Sequence, residues 1–406
     1  MKIGVFGGAF DPIHNGHLHL AREFARRLSL DKVLLIPTSL PPHKPHTYMA
    51  PPQLRLIMCR LAVGEDGLFE VSDIEIRREG ASFTADTLNE VLKIYPGAEL
   101  YLITGADMFL TLGTWNRFEE IARLATLCAA PRGDGDSQRL KSYAKTIEQR
   151  GAKCVIEDIP LMDVSSTAIR EKILAGERID RLVPAPVEEY IRKFGLYKTA
   201  PSGQGYSDSQ FIEIIRGRLS QKRFKHSLAV AEQAKRLAPL YGADPKKAYT
   251  AGILHDIMKD AGAEAQLQII GDFGIILDNV EKNLPGCWHA IAGAVFIEHI
   301  LGIADRDLIN AVRYHTTGRA GMSPLEVTIY LADFTSADRD FPGADEMRRL
   351  AETGIRPAMK YGLSFVLREL IDKPSVIHPD SIHAYNETVL AGGEGGAENA
   401  EEQKKN

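Results

Sequence analysis

The stretch that decides the fold is MKIGVFGGAFDPIHNGHLHLA, residues 1–21, in which an apolar run leads into a glycine-rich turn. The run KIGVF predicts a buried strand, and a helical pattern begins only after Gly7, Gly8 and an Asp-Pro turn. Such a turn between a first strand and a first helix is where α/β proteins bind phosphate, because backbone N–H groups and the helix N-terminus face the anion. The stretch therefore predicts an α/β domain with an anion site at its first turn.

Two histidines, His14 and His17, stand at the entry to this predicted helix. The glycine spacing fits neither the GxGxxG dinucleotide fingerprint nor the GxxxxGK[ST] phosphate loop. Imidazoles three positions apart on a helix lie on one face, so both can direct N–H donors at one anion. We therefore expect His14 and His17 to take part in holding a phosphate.

The pattern of apolar segments changes near residue 200. Before it, runs such as KVLLIP and ELYLITG alternate with amphipathic helical runs, which predicts an α/β Rossmann-like domain with a parallel sheet. After it, runs such as HSLAVAEQAKRLAPLYG have helical spacing, which predicts an all-α domain. A short Gly- and Ser-rich stretch predicts a linker, and a polar tail predicts disorder. The predicted boundaries are 1–197 for the α/β domain, 198–207 for the linker, 208–390 for the helical domain and 391–406 for the tail.

Composition excludes several classes of protein. The 406 residues carry a formal net charge of -5, so no chain-wide positive field attracts polyanions, and we expect no nucleic-acid partner. The four cysteines form no CxxC pair, which disfavours a zinc knuckle or a disulfide framework. No run approaches the ~18 apolar residues of a membrane span, so we expect no membrane partner and a cytoplasmic location. The oligomeric state stays open.

Further motifs follow the first turn in order: PPHK at 41–44, SFTADTL at 82–88, GADMF at 105–109 with TW at 114–115, and SSTAIR at 165–170. Together with GGAFDPIHNGH at 7–17, they resemble bacterial nicotinate-nucleotide adenylyltransferases of the HxGH nucleotidyltransferase superfamily. This resemblance, over residues 1–197, implies transfer of AMP from ATP to nicotinate mononucleotide, giving deamido-NAD and pyrophosphate in NAD biosynthesis. Pantetheine phosphate and a flavin nucleotide remain alternative acceptors, which GADMF, TW and SSTAIR disfavour. Ala9 departs from the family, which often has a hydroxyl residue there.

The resemblance implies four catalytic residues in this domain. His14 and His17 would stabilise the charge that grows on the triphosphate, and Lys44 and Arg170 would be fixed cations on its β- and γ-oxygens. Mg²⁺ bound with ATP would neutralise the leaving pyrophosphate. No covalent enzyme intermediate is needed, because the acceptor phosphate can attack the α-phosphorus in line.

The resemblance also implies how the substrates bind. Gly105 and Asp107 would bind the adenosine ribose, and the Thr84 region would recognise the nicotinate carboxylate. Trp115 would stack on the nicotinate ring, although an aromatic residue of the core is the alternative interpretation. The complete predicted substrate-binding set is Gly7, Gly8, Phe10, Asp11, Thr84, Gly105, Asp107, Trp115, Ser165, Ser166 and Thr167.

The helical half contains an ordered set of histidines and aspartates typical of metal ligands. In the order H, HD, H, H, D, the set resembles the HD superfamily of metal-dependent phosphohydrolases. The flanking words KRFKHSLAVA, GILHDIMKD, YHTTG and YLADF, within residues 208–375, are similar to those of the HD-domain symmetrical diadenosine tetraphosphatases. The six predicted metal ligands are His226, His255, Asp256, His289, His315 and Asp333.

Six ligands exceed what one four-coordinate ion needs, so we expect two divalent ions with Asp256 bridging them. Iron is the expected metal and manganese is an alternative. Lys259 would be a catalytic cation, and the turn Thr316, Thr317 and Gly318 would hold the polyphosphate. The resemblance implies hydrolysis of diadenosine tetraphosphate to two ADP. Guanosine tetraphosphate as substrate, or a nucleotide-sensing regulatory module, remain alternatives.

Overall fold

The fold is given by a computed structural model, which describes residues 1–39, 49–78, 82–131, 133, 135–160, 162–198 and 206–391. The chain divides into two compact units, Met1–Gly203 and Gln204–Asn406. The predicted catalytic residue Lys44 lies outside the described residues. So do most of the predicted linker and all but the first residue of the predicted tail.

The first unit is built on a parallel sheet of six strands in the order β3-β2-β1-β4-β5-β6. The strands are apolar and largely buried, as expected where helices cover both faces of a parallel sheet. The strands are β1 (Lys2–Gly8), β2 (Lys32–Pro37), β3 (Phe69–Val71), β4 (Glu99–Thr104), β5 (Ala125–Ala129) and β6 (Lys153–Ile156).

Nine helices are described in this unit, together with a 3₁₀ turn at Leu112–Thr114. Helix α1 has a strongly amphipathic sequence, and its apolar side, which includes Leu18, Ala21 and Phe24, is buried. The helices are α1 (Asn15–Leu28), α2 (Pro52–Val63), α3 (Ile74–Arg77), α4 (Thr84–Ile94), α5 (Ala106–Phe109), α6 (Phe118–Leu124), α7 (Asp136–Glu148), α8 (Ser166–Leu174) and α9 (Ala185–Phe194).

The strand order reverses direction between β1 and β4. Strand β1 pairs with β2 on one side and with β4 on the other, for example Val5 with Leu34 and with Leu102. The turns that follow β1 and β4 therefore diverge at the carboxyl edge of the sheet, where open α/β sheets bind their ligands. This crevice receives the glycine-rich first turn.

Every regular element among the described residues of the second unit is a helix. A 3₁₀ turn at Lys259–Ala261 and a π-helical turn at Phe296–Ile300 interrupt the regular helices. The helices are α10 (Asp208–Arg216), α11 (Gln221–Tyr241), α12 (Pro245–Leu254), α13 (Ala263–Asp272), α14 (Asn279–Lys282), α15 (Pro285–Val295), α16 (Arg306–Tyr314), α17 (Pro324–Thr335), α18 (Ala344–Thr353), α19 (Ile355–Asp372) and α20 (Pro379–Leu390).

Helices α11 and α12 pack very closely, and α11 also packs against α17. A Cβ added at Gly252 of α12 would lie 2.5 Å from the Cα of Ala231 of α11, a distance that real Cβ contacts do not reach. Glycine at 252 and a small residue at 231 therefore permit the two backbones to approach. This contact sets the separation of the segments that carry His226 and His255.

The predicted fold class is confirmed: an α/β unit with a parallel sheet precedes an all-α unit. The structure adds elements that the sequence patterns did not indicate, notably the three-residue strand β3 and helices α4 and α9. None of the described helices combines the length and the apolar character that a membrane span requires.

Candidate active sites

His14 and His17 form a reciprocal pair at the start of α1. His14 is the N-cap residue, and its Nδ1 accepts the backbone N–H of His17 at 3.3 Å. The Nδ1 of His17 in turn accepts the backbone N–H of His14 at 3.2 Å. The two rings stack with centroids 3.6 Å apart and an interplanar angle of 21°. This is a capping box in which imidazoles replace the usual hydroxyl and carboxylate groups.

These backbone bonds fix the tautomer of both rings. A nitrogen that accepts an N–H carries no proton, so each neutral ring holds its proton on Nε2. Both histidines thus carry an Nε2–H donor at the N-terminus of α1, where the helix dipole favours an anion. The pair is suited to bind phosphate oxygens without needing a charged imidazole.

The start of α8 is tied to the first turn. Ser166 Oγ donates to the carbonyl of Pro12 at 2.9 Å, and Ser165 caps α8 by accepting the N–H of Ala168. A Cβ added at Gly16 would lie 2.7 Å from Cγ1 of Val164, so glycine is needed for this close approach. Of the predicted set, Ser165 and Ser166 therefore use their hydroxyl groups within the protein.

Arg170 reaches back from α8 to Asp11. Its Nη1 donates to the Asp11 carbonyl at 2.6 Å and lies 3.5 Å from Asp11 Oδ2, and its Nη2 donates to Thr167 Oγ1. Asp11 is buried, and its Oδ1 accepts the hydroxyl of Tyr197 at 2.7 Å and the N–H of Ala50 at 3.0 Å. Burial raises the pKa of Asp11, and these partners offset only part of that effect. Asp11 therefore fixes the conformation of the first turn and holds the Arg170 side chain beside that turn.

Arg55 is a second organiser, which sequence analysis did not identify. It is fully buried, and it donates to the carbonyls of Ala9 at 2.6 Å and Thr38 at 2.6 Å. It also bonds to the carbonyls of Ser39 and Ala50. One guanidinium thus joins the segments after β1 and β2 and the start of α2. The available signal was its position in α2, within the otherwise apolar run Leu54–Cys59.

The remaining residues of the first turn and of the turn after β4 lie along the carboxyl edge of the sheet. Gly7 and Gly8 end β1, and Gly105 is the N-cap residue of α5. A Cβ added at Gly7 or Gly105 would meet no atom of the described residues within 4 Å, so there is space beside both turns. Phe10 is buried, with its ring centroid 5.1 Å from that of His17, and Asp107 is exposed.

The segments of Thr84 and Trp115 come together through their neighbours. Thr84 begins α4, and Arg117 hydrogen-bonds Asp86 of that helix. Trp115 is half-buried, packs against the apolar core, and donates from Nε1 to Thr111 at 3.2 Å. Both predicted roles of Trp115 remain compatible with this position, because one part of the ring system is covered and another is accessible.

In the second unit, the six predicted metal ligands converge. Ligand atoms of His226, His255 and Asp333 lie within 4.8 Å of one another, and so do those of His255, Asp256 and His315. Helices α11 and α17 supply His226 and Asp333, while His255 and His315 directly follow α12 and α16. His255 belongs to both groups, so the two groups adjoin each other.

His289 completes the cluster. Its Nε2 lies 3.1 Å from the Nε2 of His315 and 3.2 Å from Asp256 Oδ1. Lys259 Nζ lies 3.0 Å from the same His289 atom and 3.9 Å from Asp256 Oδ1. Lys259 and two of the predicted ligand histidines therefore surround one carboxylate oxygen of Asp256.

Two of the histidines are oriented by backbone carbonyls. His255 Nδ1 lies 2.8 Å from the carbonyl of Gly252, and His315 Nδ1 lies 2.7 Å from that of Val312. A carbonyl only accepts, so Nδ1 carries the proton and Nε2 has a lone pair for a metal ion. The buried Nε2 of His255 has no hydrogen-bond partner among the described residues. An orphaned, unprotonated imidazole nitrogen in a set of imidazole and carboxylate ligands fits a divalent metal.

The pKa shifts of four of the six predicted ligands favour metal binding, whereas the burial of His226 is outweighed by Asp333, which raises the pKa of that histidine. Burial lowers the pKa of His255 and of His289 to about 4. Burial alone would raise the pKa of Asp256, but the neighbouring histidines, first His255, lower it well below its usual value. The pKa of Asp333 is also lowered, because His226 and Arg339 outweigh burial. Neutral imidazoles and ionised carboxylates are the forms that coordinate metals.

Of the predicted turn at residues 316–318, only the first residue contacts the histidines of the cluster. Thr316 Oγ1 lies 3.2 Å from His315 Nε2 and 3.4 Å from His289 Nε2. Thr317 is buried and donates to the Gly318 carbonyl, while its own carbonyl accepts from Ser381 of α20. Gly318 has a φ of +64°, which glycine adopts without strain. The structure thus brings Thr316 to the cluster, and Thr317 and Gly318 support the turn.

Two arginines at the cluster were not identified from the sequence. Arg223 Nη1 lies 3.3 Å from Asp256 Oδ2, and Arg339 pairs with Asp333. Both side chains are about one-third exposed, at 36% and 35%. Together with Lys259, they make the mouth of an otherwise acidic ligand set positively charged, which suits a phosphate substrate.

The two halves of the chain match different families of known proteins. The sequence profile of the Cytidylyltransferase-like family matches residues 5–172, and that of the HD domain matches residues 223–338. A Clostridium tetani protein described as a probable nicotinate-nucleotide adenylyltransferase is 39% identical over 198 residues, 48% of this chain and 99% of that protein. A Dehalococcoides mccartyi protein with the same description is 41% identical over 201 residues, 48% of this chain and 97% of that protein.

A solved structure is similar to about half of the chain. It comes from Clostridium acetobutylicum and is described as a predicted HD superfamily hydrolase involved in NAD metabolism. It is 34% identical, covers 46% of this chain and 99% of its own, and has a TM-score of 0.45. Since this chain covers almost the whole length of curated relatives that are 39% and 41% identical to it, the chain belongs to the nicotinate-nucleotide adenylyltransferase family, and it also contains an HD domain.

Proposed function

We propose that residues 1–197 transfer AMP from ATP to nicotinate mononucleotide, giving deamido-NAD and pyrophosphate. The observation that carries this proposal is the reciprocal pair of His14 and His17, whose Nδ1 atoms both accept backbone N–H groups. The pair offers two Nε2–H donors at a helix N-terminus, within a chain of this family.

In the proposed reaction, an oxygen of the nicotinate mononucleotide phosphate attacks the α-phosphorus of ATP in line. The new P–O bond forms as the bond from the α-phosphorus to the bridging oxygen breaks, and pyrophosphate leaves with the electron pair. His14 and His17 hold the triphosphate oxygens on which charge grows, and donors placed in advance lower the barrier without reorganising. Mg²⁺ bound with ATP would supply further charge neutralisation.

Other residues of the unit would position the two substrates. Arg170, fixed on Asp11, would contribute a cation to the phosphates, and Lys44 would contribute a second. The space beside Gly105 would admit the adenosine ribose near Asp107. Gly7, Gly8, Phe10 and Thr167 would line the phosphate site, while Thr84 and Trp115 would contact the nicotinate ring.

The test is a product assay with separate acceptors. The purified chain is incubated with ATP, Mg²⁺ and nicotinate mononucleotide, nicotinamide mononucleotide, pantetheine phosphate or flavin mononucleotide, and the products are separated by chromatography. We expect deamido-NAD and an equal amount of pyrophosphate from nicotinate mononucleotide. A faster reaction with pantetheine phosphate or the flavin nucleotide would contradict the proposed acceptor.

We further propose that the HD domain hydrolyses diadenosine tetraphosphate to two ADP through two divalent ions, which we propose to be iron. The specific observation in favour of a metal site is the buried, unpartnered Nε2 of His255 among the described residues. His226, Asp256, His289, His315 and Asp333 would complete the ligand set, with Asp256 between the ions. When bound, the ions would supply an activated water and charge neutralisation at phosphorus.

The chain's own groups would bind and orient the polyphosphate. Lys259, with its Nζ 3.9 Å from Asp256 Oδ1, would neutralise charge on the phosphate next to the ligand set. Burial lowers the pKa of Lys259, while Asp256 counteracts part of this effect, so its proton is easier to give up than that of an exposed lysine. Thr316 would donate to a phosphate oxygen from the turn that includes Thr317 and Gly318.

Diadenosine tetraphosphate and guanosine tetraphosphate are distinguished by incubating the metal-replete chain with each. We expect two ADP per diadenosine tetraphosphate and no ATP or AMP, since attack is symmetrical. Hydrolysis of guanosine tetraphosphate alone would contradict the proposed substrate. A chain that binds either nucleotide but cleaves neither would instead act as a regulatory module.

A further inference from the structure

Asp338, in the turn after α17, contacts one of the proposed metal ligands. Its Oδ2 lies 2.8 Å from Nδ1 of His226, whose side chain is only 5% exposed. Its other oxygen, Oδ1, accepts the hydroxyl of the fully buried Ser336 at 2.8 Å. The carboxylate is therefore held at both oxygens, and one of them meets the side of the imidazole that faces away from the ligand cluster.

The opposite nitrogen of His226 faces the cluster. Its Nε2 lies 2.9 Å from Asp333 Oδ1, and both residues belong to the first group of candidate ligands. An ionised carboxylate only accepts, so without a metal Nδ1 donates to Asp338 and Nε2 donates to Asp333. A metal ion bound at Nε2 would replace the proton there, while Asp338 keeps the other proton on Nδ1, which is the tautomer that His226 needs as a ligand.

His226 differs in this respect from His255 and His315. Their Nδ1 atoms bond to the neutral backbone carbonyls of Gly252 and Val312. A carboxylate partner makes an imidazole a stronger electron donor than a neutral carbonyl does. It also balances the positive charge of Arg339, which lies 3.4 Å from His226 Nε2 and would otherwise oppose a cation there.

We propose that Asp338 is a positioning residue that orients His226 and strengthens its bond to one of the two metal ions. The inference rests on the proposed metal centre of the HD domain and adds a residue 112 positions away in sequence from the ligand it acts on. The loss of such a partner typically lowers metal affinity about 10- to 100-fold.

The test is a titration of the chelator-treated, full-length chain with Mn²⁺, followed by calorimetry, for the wild type and Asp338→Asn. Asparagine keeps the shape of the side chain and removes its charge. We expect one of two binding steps to weaken by about 10- to 100-fold and the other to change by less than about threefold. The thermal midpoint of the metal-free protein should stay close to that of the wild type.

Two further variants make the test specific. Asp340→Asn removes an exposed charge two positions away and should bind Mn²⁺ like the wild type. Ser336→Ala removes the hydroxyl that holds Asp338 and should weaken the same step as Asp338→Asn, by a smaller factor. If Asp338→Asn lowers the thermal midpoint, the Mn²⁺ affinity of Ser336→Ala is used in its place to test the role of Asp338.

Two results would overturn the inference: wild-type affinity in Asp338→Asn, or an equal loss at both steps. Because the readout is metal affinity, the identity of the nucleotide substrate does not affect it. A wild-type chain that binds no Mn²⁺ would contradict the proposed metal centre as a whole. If the wild type binds Mn²⁺ in two steps and Asp338→Asn binds it with the same two affinities, only the role of Asp338 is contradicted.

Discussion

His17 Nδ1 accepts the backbone N–H of His14 at 3.2 Å, so a ring proposed to bind phosphate also closes the first turn of its own helix. Binding and folding are coupled in this one side chain. A substitution at position 17 must therefore be designed to separate the loss of the Nε2 donor from the loss of the helix cap.

The first prediction concerns this donor. His17→Ala should lower adenylyl transfer by at least about 100-fold, as expected when a donor to developing charge is removed. It should also cost about 0.5–2 kcal/mol of stability through the lost cap. His17→Asn, whose side-chain oxygen can still accept the N–H of His14, should keep most of the stability and lose most of the activity. Synthesis of deamido-NAD and thermal unfolding are the two measurements.

His19→Ala is the matched control for this experiment. His19 lies on the same helix and its ring contacts the carbonyl of Pro160 at 2.7 Å, away from the pair. We expect it to transfer AMP at nearly the wild-type rate. Near-normal transfer by both His17 variants would exclude the proposed role of His17.

The second prediction concerns Arg55. Arg55→Met should lower the free energy of unfolding of the first unit by about 3–5 kcal/mol. In the wild type, buried carbonyl groups accept hydrogen bonds from the guanidinium, and in the variant these carbonyls would have no donor. Trp115 reports on this unit if Trp288, the other tryptophan, is changed to Phe. Arg60→Met, on the exposed side of the same helix, should change stability by no more than about 0.5 kcal/mol in urea denaturation.

The third prediction concerns two glutamates with opposite pH behaviour. Burial raises the pKa of Glu75 above its usual 4.5, despite a hydrogen bond from Thr87. Its ionisation therefore costs stability as the pH rises above 4.5, and Glu75→Gln should gain stability relative to the wild type over that range. Burial also acts on Glu70, but bonds from Lys32 and Tyr95 outweigh it and lower its pKa.

The expected signs follow from these directions. Glu70 contributes stability above pH 4.5 that is lost as the pH falls through its folded pKa. Glu70→Gln should thus be less stable than the wild type at pH 7, and the difference should shrink in acid. Urea denaturation between pH 3 and 7 tests both variants. If the difference in unfolding free energy from the wild type changed with pH in the same direction for Glu75→Gln and Glu70→Gln, the opposite pKa shifts of the two glutamates would be contradicted.

The fourth prediction concerns the metal ions. Asp256→Ala should lose both ions or leave them unable to act together, and phosphohydrolysis should vanish, because its carboxylate lies near three of the ligand histidines. His289→Ala should weaken mainly one ion. Elemental analysis after metal-replete purification measures the occupancy, and adenylyl transfer should persist in both variants.

His299→Ala provides the comparison for this prediction. His299 stacks on Phe273 with ring centroids 4.3 Å apart and belongs to neither candidate metal group. It should retain the wild-type metal content. A wild-type protein with one ion or none would refute the dinuclear proposal, whatever its activity.

Local patterns predicted much of the fold. Among the described residues, strands and helices alternate before residue 200, and only helices follow it, as the spacing of apolar residues predicted. Both patterns depend on residues that are close in sequence. Strand β3 escaped prediction because three residues are too few to establish a period of two. The six candidate metal ligands were likewise named from the order of the motifs in the sequence, without knowledge of their geometry.

The supporting contacts could not be predicted in the same way. Arg55 bonds to carbonyl groups that precede it by as much as 46 positions, and Asp338 meets His226 across 112 positions. Neither contact leaves a periodic signal, because each depends on where the folded backbone brings an acceptor. Arginine in an amphipathic helix and aspartate in a turn are most often solvated, so composition favours the wrong interpretation for both.

The close approach of α11 and α12 at Gly252 bears on how the proposed metal centre would receive its ions. His226 and His255 stand on backbones in direct contact, and the carbonyl that orients His255 belongs to Gly252 itself. The donor atoms are thus arranged before an ion arrives, so binding would not have to draw the two helices together. Chelator treatment should therefore leave the helical content of the HD domain unchanged. A larger residue at 252 would push the two backbones apart and should weaken ion binding.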